Sequence, residues 1–149
     1  MSETGSTIHA TAVSAGGSGV LLRGPAGIGK SDLALRLIDR GALLVADDRV
    51  EIVRRRDAIF AAPPGRLRGW LSIAGLGPTR FPFASETRIA LVCDLECDPP
   101  RHPLERPTEP LLGVPLRRLR LDPRAASAPL MIEAALRALA EGTPPPFAD

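Results

Sequence analysis

Apolar and polar positions change their period several times along this chain, and each change marks an element. Residues 6–13, STIHATAV, alternate, which predicts a strand. SAGGSG (14–19) is a turn signal and GVLLR (19–23) a short apolar run, so a hairpin with a buried second strand is expected. Over 31–40, SDLALRLIDR, the period becomes helical: Leu33, Ala34, Leu37 and Ile38 share one face, and Gly41 supplies a stop. ALLVA (42–46) reads as a buried strand ending at Asp47 and Asp48. The stretch from strand 19–23 through the helix to strand 42–46 has the length of a compact parallel βαβ unit.

Farther on, VEIVRR and AIFAA flank RRD and predict a second hairpin. Residues 63–83 are rich in Gly and Pro, and a short helix around 65–72 followed by a loop is expected there. TRIALVCDLE (87–96) and VPLRRLRL (114–121) read as strands, separated by the proline-dense loop CDPPRHPLERPTEP. SAPLMIEAALRALAEG (127–142) predicts a helix capped by Ser127, with Pro129 in its first turn and Gly142 past its end. The final TPPPFAD (143–149) reads as a loose tail, which leaves 1–142 as one α/β domain without internal repeats.

Composition narrows the class. A length of 149 residues suits a single domain, and 44% apolar with 24% charged residues suits a globular one. No apolar run approaches the roughly 18 residues of a membrane span. The N-terminus lacks the basic-then-apolar order of a secretory signal, so a cytoplasmic protein with no membrane partner is expected. A net charge of +2 is too small to argue for nucleic acid. Cys93 and Cys97 match no zinc spacing and are expected as reduced thiols. Arg117, Arg118 and Arg120 read as a solvated strand edge, with a docking stripe for an acidic partner as the alternative.

Of the 19 Lys and Arg residues, only Lys30 is a lysine. It falls in GPAGIGKS, residues 24–31, between the apolar run and the helix. Gly24, Gly29, Lys30 and Ser31 fit G-x-x-x-x-G-K-[ST], in which glycines let successive N–H groups turn inward onto phosphate oxygens. The whole loop (Gly24, Pro25, Ala26, Gly27, Ile28, Gly29, Lys30, Ser31) is the candidate nucleotide cradle. Lys30 would reach the β- and γ-phosphates, the Ser31 hydroxyl would ligate Mg²⁺, and the helix N-terminus would add its free N–H groups. If strand 42–46 runs parallel to strand 19–23, Asp47 and Asp48 emerge at the same sheet edge. One carboxylate could then serve Mg²⁺ through water and the other accept a proton from an attacking hydroxyl. His9, on the strand before the loop, is a further candidate. N-K-x-D, H-R-D and D-F-G are all absent, which removes GTPases and eukaryotic-type kinases.

The stretch IHATAVSAGGSGVLLRGPAGIGKSDLALRLIDRGALLVADDRVEI resembles the catalytic domain of bacterial HPr kinase/phosphorylase. The shared pattern is a histidine on the strand before a Walker-type loop, a helix ending Arg-Gly, and then VADD. The likeness is specific over residues 8–52 and traceable to about residue 141 through IAGLG and MIEAALRAL. It implies a P-loop sheet related to phosphoenolpyruvate carboxykinase and transfer of phosphate from ATP to a serine of HPr, the phosphocarrier of the phosphotransferase system. It also implies phosphorolysis of the product by inorganic phosphate and a homo-oligomer, with a hexamer as the family form. Position by position, His9, Lys30 and Asp48 would be catalytic, with Asp48 the base, while Ser31 and Asp47 would serve Mg²⁺.

Departures from the family pattern qualify these expectations. Longer members carry an N-terminal domain, and this chain starts at the kinase domain. Ser72 stands where the family has a metal-binding glutamate, and Ala74 where it has an arginine. The family's Pro-Gly-Arg-Asn stretch has no counterpart in LDPRAASAP unless Arg124 supplies the arginine after a shift. A kinase with weak or absent phosphorylase activity is therefore expected. An ATP-binding regulatory module without transfer, and a P-loop kinase for a small molecule, are the alternatives.

Overall fold

The computed structural model describes residues 4–101 and 107–142. The expected tail at 143–149 and the middle of the proline-dense loop lie outside the described residues. The strands are β1 (Thr4–His9), β2 (Thr11–Ala15), β3 (Ser18–Arg23), β4 (Leu43–Ala46), β5 (Arg49–Arg55), β6 (Ala58–Ala62), β7 (Trp70–Ile73), β8 (Gly77–Arg80), β9 (Thr87–Leu95), β10 (Thr108–Leu111) and β11 (Val114–Leu121). The helices are α1 (Lys30–Asp39) and α2 (Ala128–Glu141), with a single 3₁₀ turn at Gly65–Leu67.

Nine strands form one curled sheet in the order β1-β5-β6-β9-β3-β2-β4, with β11 and then β10 branching from β9. β3, β9 and β11 run parallel, while β2 is antiparallel to both β3 and β4. β3 and β4 therefore point the same way, as the βαβ spacing requires, but β2 lies between them. The hairpin partner fills the slot that a simple βαβ unit would close directly.

The first expected strand is two. The chain breaks at Ala10, leaving β1 paired with β5 and β2 paired with β3 and β4. Alternation persists through the break, which is why the sequence pattern reads as continuous. A larger difference falls at 63–83. The expected helix shrinks to the 3₁₀ turn, and a separate two-stranded sheet, β7–β8, follows. Gly69 breaks the run, and Gly75 and Gly77 adopt φ of 84° and 89°, turning the hairpin. The end of the proline-dense loop becomes β10, which pairs with β11. Pro110 is tolerated there because β10 pairs on one side only.

Alternation along the central strands splits the core between two faces. Leu22, Leu91 and Cys93 meet Leu33, Leu37, Ile132 and Leu136 of the two helices. Leu21 and Val92 face the other way, onto Val50, Ile52 and Ile59 of the β5–β6 layer. Burying side chains such as Leu33 and Leu37 contributes about 2 kcal/mol apiece. α1 ends where expected: Gly41 takes φ 106°, and its N–H and that of Ala42 bond the carbonyls of Ile38 (2.9 Å) and Leu37 (3.0 Å). α2 has Pro129 in its first turn and Gly142 at its end, but Ser127 makes no side-chain capping bond. Its residue conformation is helical, so the hydroxyl does not face the free N–H groups. Arg40 donates from Nε and Nη2 to the Glu133 carboxylate, tying α1 to α2. No described helix is long and apolar enough to cross a membrane.

Candidate active site

β3 delivers the chain into the loop at Gly24, and the loop ends at Gly29, the residue before α1. A Cβ at Gly24 would lie 3.0 Å from Ile28 Cγ2 and 3.1 Å from the Leu95 carbonyl, so a larger residue would push the loop off β9. Gly29 holds φ 117°, a conformation that favours glycine and aims the first helical N–H groups out of the helix end. Ala26, Gly27 and Gly29 line a cleft of about 380 Å³ together with Lys30, Ser31 and His9. Ile28 instead packs on the core, and the carbonyls of Gly24 and Pro25 accept hydrogen bonds from the Lys30 ammonium at 2.7 and 3.1 Å. Lys30 is thus buried yet satisfied, with one ammonium proton still free.

Opposite the loop, the chain crosses from β4 to β5 through Asp47 and Asp48. The two carboxylates part company there. Asp47 is buried and accepts from the hydroxyls of Ser31 (2.9 Å) and Thr11 (3.1 Å) and from the Ser72 N–H (3.0 Å). Asp48 is exposed, with φ 69°, a left-handed conformation that aspartate tolerates better than most residues. Its Oδ1 accepts a 2.7 Å hydrogen bond from Nε2 of His9 at the end of β1. Asp48, His9, Ser72 and Ala74 all face the cleft.

The structure therefore brings His9, Lys30, Ser31, Asp47 and Asp48 to one sheet edge, at the C-terminal ends of β3 and β4. Sequence reasoning missed Thr11 and the backbone of Ser72. The signal for Thr11 was a lone hydroxyl within an apolar run, ATAV; nothing in the sequence indicated a backbone donor from a hairpin read as helix and loop. Arg124 does not line the cleft, and its guanidinium and N–H are held by Asp122. The arginines of β11 do not form a free stripe either. Arg118 binds Asp94, Arg120 binds Glu96, and Arg117 bonds the Pro107 carbonyl.

Beneath the loop, Asp94 sits between Arg23 and Arg118. Burial pushes its carboxyl up, but the two guanidiniums outweigh burial and hold it below the usual carboxylate range. Burial pushes the Cys93 thiol far up, with Asp94 adding to the effect.

The oxygen donors fit a hard cation. Ser31 donates its single hydroxyl proton to Asp47, which leaves its lone pairs for a metal, and three donors hold the Asp47 carboxylate in place. Among the described residues no group of three or more His, Cys, Asp and Glu could hold a metal by itself. Mg²⁺ commonly completes its shell with phosphate and water.

A Walker-type loop after β3, with carboxylates at the end of β4, which runs the same way two places along the sheet, defines a P-loop kinase fold. A solved structure titled as the HPr(Ser) kinase/phosphatase of Coxiella burnetii superposes with a TM-score of 0.81 at 29% identity, over 92% of this chain and 97% of that one. The model of the HPr Serine kinase C-terminal domain matches residues 2–140, and this chain belongs to that family. Curated proteins named HPr kinase/phosphorylase from Aromatoleum aromaticum and Bordetella pertussis are each 36% identical over 88% of this chain. The chain spans about half their length, 47% in both cases.

Proposed function

We propose that this domain transfers the γ-phosphoryl group of ATP, as its Mg²⁺ complex, to a serine of an HPr-type phosphocarrier protein. One observation carries the reading: an exposed carboxylate, Asp48, is held by His9 across a cleft from the Lys30–Ser31 loop. In the reaction the acceptor hydroxyl oxygen forms a bond to the γ-phosphorus, the bond to the β-bridging oxygen breaks, and ADP leaves. His9 occupies Oδ1 of Asp48, so Oδ2 is free to take the hydroxyl proton. Lys30 would exchange its loop carbonyls for phosphate oxygens, and the N–H groups at the start of α1 would share that load. Ser31 and Asp47 would hold Mg²⁺, which would supply charge neutralisation to the phosphates.

Phosphorolysis of the product is proposed to be weak. Ser72 and Ala74 line the cleft where the family pattern has a glutamate and an arginine, so these positions offer neither a carboxylate for a metal nor a cation for a second phosphate. The same neutral pair favours the second reading, an ATP-binding module without transfer. We place the protein in the cytoplasm, where ATP is available, as a homo-oligomer, with the hexamer as first expectation. Leu130, Met131 and Leu139, exposed on α2, give that assembly apolar surface to cover.

The test is the intact mass of HPr from the same organism after incubation with ATP, Mg²⁺ and this chain, beside Asp48→Asn. A single phosphoryl gain on serine with wild type only is the expected result. ATP binding without any gain, in wild type and variant alike, would select the module. Added inorganic phosphate should release little pyrophosphate from phosphoserine-HPr; rapid release would overturn the weak-phosphorylase reading.

A further inference from the structure

The break at Ala10 is matched by a break in the facing chain. His9 pairs with Arg49 at the end of the β1–β5 ladder, and Ala12 pairs with Ala46 in the β2–β4 ladder. Residues 9–12 thus run antiparallel to 46–49, and both segments leave one sheet layer for the other at the same point. The β2–β4 register also slips there, with Val13 opposite Leu44, so β4 carries a bulge at Val45. Bulges re-aim the side chains beside them. Their joint effect is that His9 meets Asp48, while Thr11 meets Asp47.

Thr11 is fully buried, and its hydroxyl donates to Asp47 Oδ1, the same oxygen that takes the Ser31 proton. A buried hydroxyl on a strand needs a partner, and a carboxylate is the strongest acceptor within reach. With Ser72 N–H on Oδ2, three donors from three elements fix the carboxylate. Ser72 and Ala74 add no charged ligand, so the geometry of the Asp47 carboxylate beside Ser31 matters the more for a metal.

We infer that Thr11 is a positioning residue for Mg²⁺–nucleotide binding, fixing Asp47 so that it and Ser31 present oxygen donors together. The inference rests on the reading of Ser31 and Asp47 as the metal side of the nucleotide site. It does not depend on the acceptor, so the test omits HPr.

Affinity for a fluorescent ATP analogue is measured with Mg²⁺ and with EDTA for wild type, Thr11→Val and Thr11→Ser, with melting temperatures alongside. Wild type should bind more tightly with Mg²⁺. Thr11→Val, nearly isosteric, should lose about tenfold of the Mg²⁺-supported affinity, equivalent to about 1.4 kcal/mol, and keep the EDTA value. Thr11→Ser should restore the wild-type difference. Should Val prevent folding, Thr11→Ala read against Thr11→Ser makes the same comparison. The inference is overturned if Thr11→Val keeps the wild-type Mg²⁺ response, if it loses affinity equally with and without Mg²⁺, or if wild type shows no Mg²⁺-supported tightening. Failure of HPr phosphorylation with this metal response intact would remove the substrate reading and leave Thr11 in its role.

Discussion

Lys30 shows how one side chain can be charged, buried and ready for a ligand. Its ammonium rests on two carbonyls of its own loop, so the free protein avoids an unpaired buried charge. An arginine would bring a planar fork into a space shaped for a compact ammonium. Lys30→Arg should therefore fold normally but transfer phosphate roughly 100-fold more slowly or worse; phosphoprotein formation against the variant's melting curve checks this. A fast Lys30→Arg enzyme would mean that the lysine supplies charge alone. The candidate residues were legible in the sequence because the G-x-x-x-x-G-K-[ST] spacing is a local pattern. The division of labour between Asp47 and Asp48 was not. VADD offers two equivalent carboxylates, and only the turn between β4 and β5, with Asp48 at φ 69°, buries one and exposes the other.

Elements carry a different kind of constraint. β3 must lie against β9 for the loop to emerge beside Leu95, and Gly19 permits that approach. A Cβ there would stand 2.6 Å from Thr87 Cγ2 and 2.7 Å from the Arg88 carbonyl. Because the carbonyl belongs to the sheet, the strain cannot be relieved by a rotamer change. Gly19→Ala should cost about 2 kcal/mol, lowering the melting temperature by roughly 4–8 °C; an unchanged melt would show that the ladder yields there at little cost. The strands and α1 were readable because each presents one apolar face over several residues. β7–β8 was not readable. Its strands are four residues each, too short to set a period, their sequences WLSI and GPTR hold no alternating apolar stripe, and glycines set their turn. That hairpin nevertheless contributes the Ser72 N–H to Asp47, so a sequence-based site list necessarily lacked it.

At the scale of the whole molecule, the charge network and the core decide how the protein fails. Asp94 has its carboxyl lowered by Arg23 and Arg118 against the effect of burial. A depressed folded value contributes stability above the unfolded value near ~3.9, and that contribution disappears as pH falls toward the folded one. Asp94→Asn should accordingly be less stable at neutral pH and show a flatter stability profile below about pH 4. Melting temperature against pH for both proteins tests this; parallel profiles would assign acid sensitivity to other groups. Cys93 reports on the same core. It is buried with its thiol held protonated, whereas Cys97 is exposed. A thiol reagent should modify one cysteine in the native protein and both in denaturant, and rapid modification of both in buffer would reveal opening of the sheet near β9.

The sequence alone determined the α/β class, the two helices, most strands and the Walker-type loop, because amphipathic period and glycine–lysine–serine spacing are local properties. It also singled out His9, Lys30, Ser31, Asp47 and Asp48 as candidate groups, which the fold brings to one sheet edge. Tertiary structure decided the rest: β2 between β3 and β4, the shared break at Ala10, and the convergence of Thr11, Ser31 and Ser72 on Asp47. Those residues are far apart in the chain, and their meeting depends on strand register and on a bulge at Val45. Neither leaves a periodic trace, because each is settled by which ladders close once the whole sheet has formed.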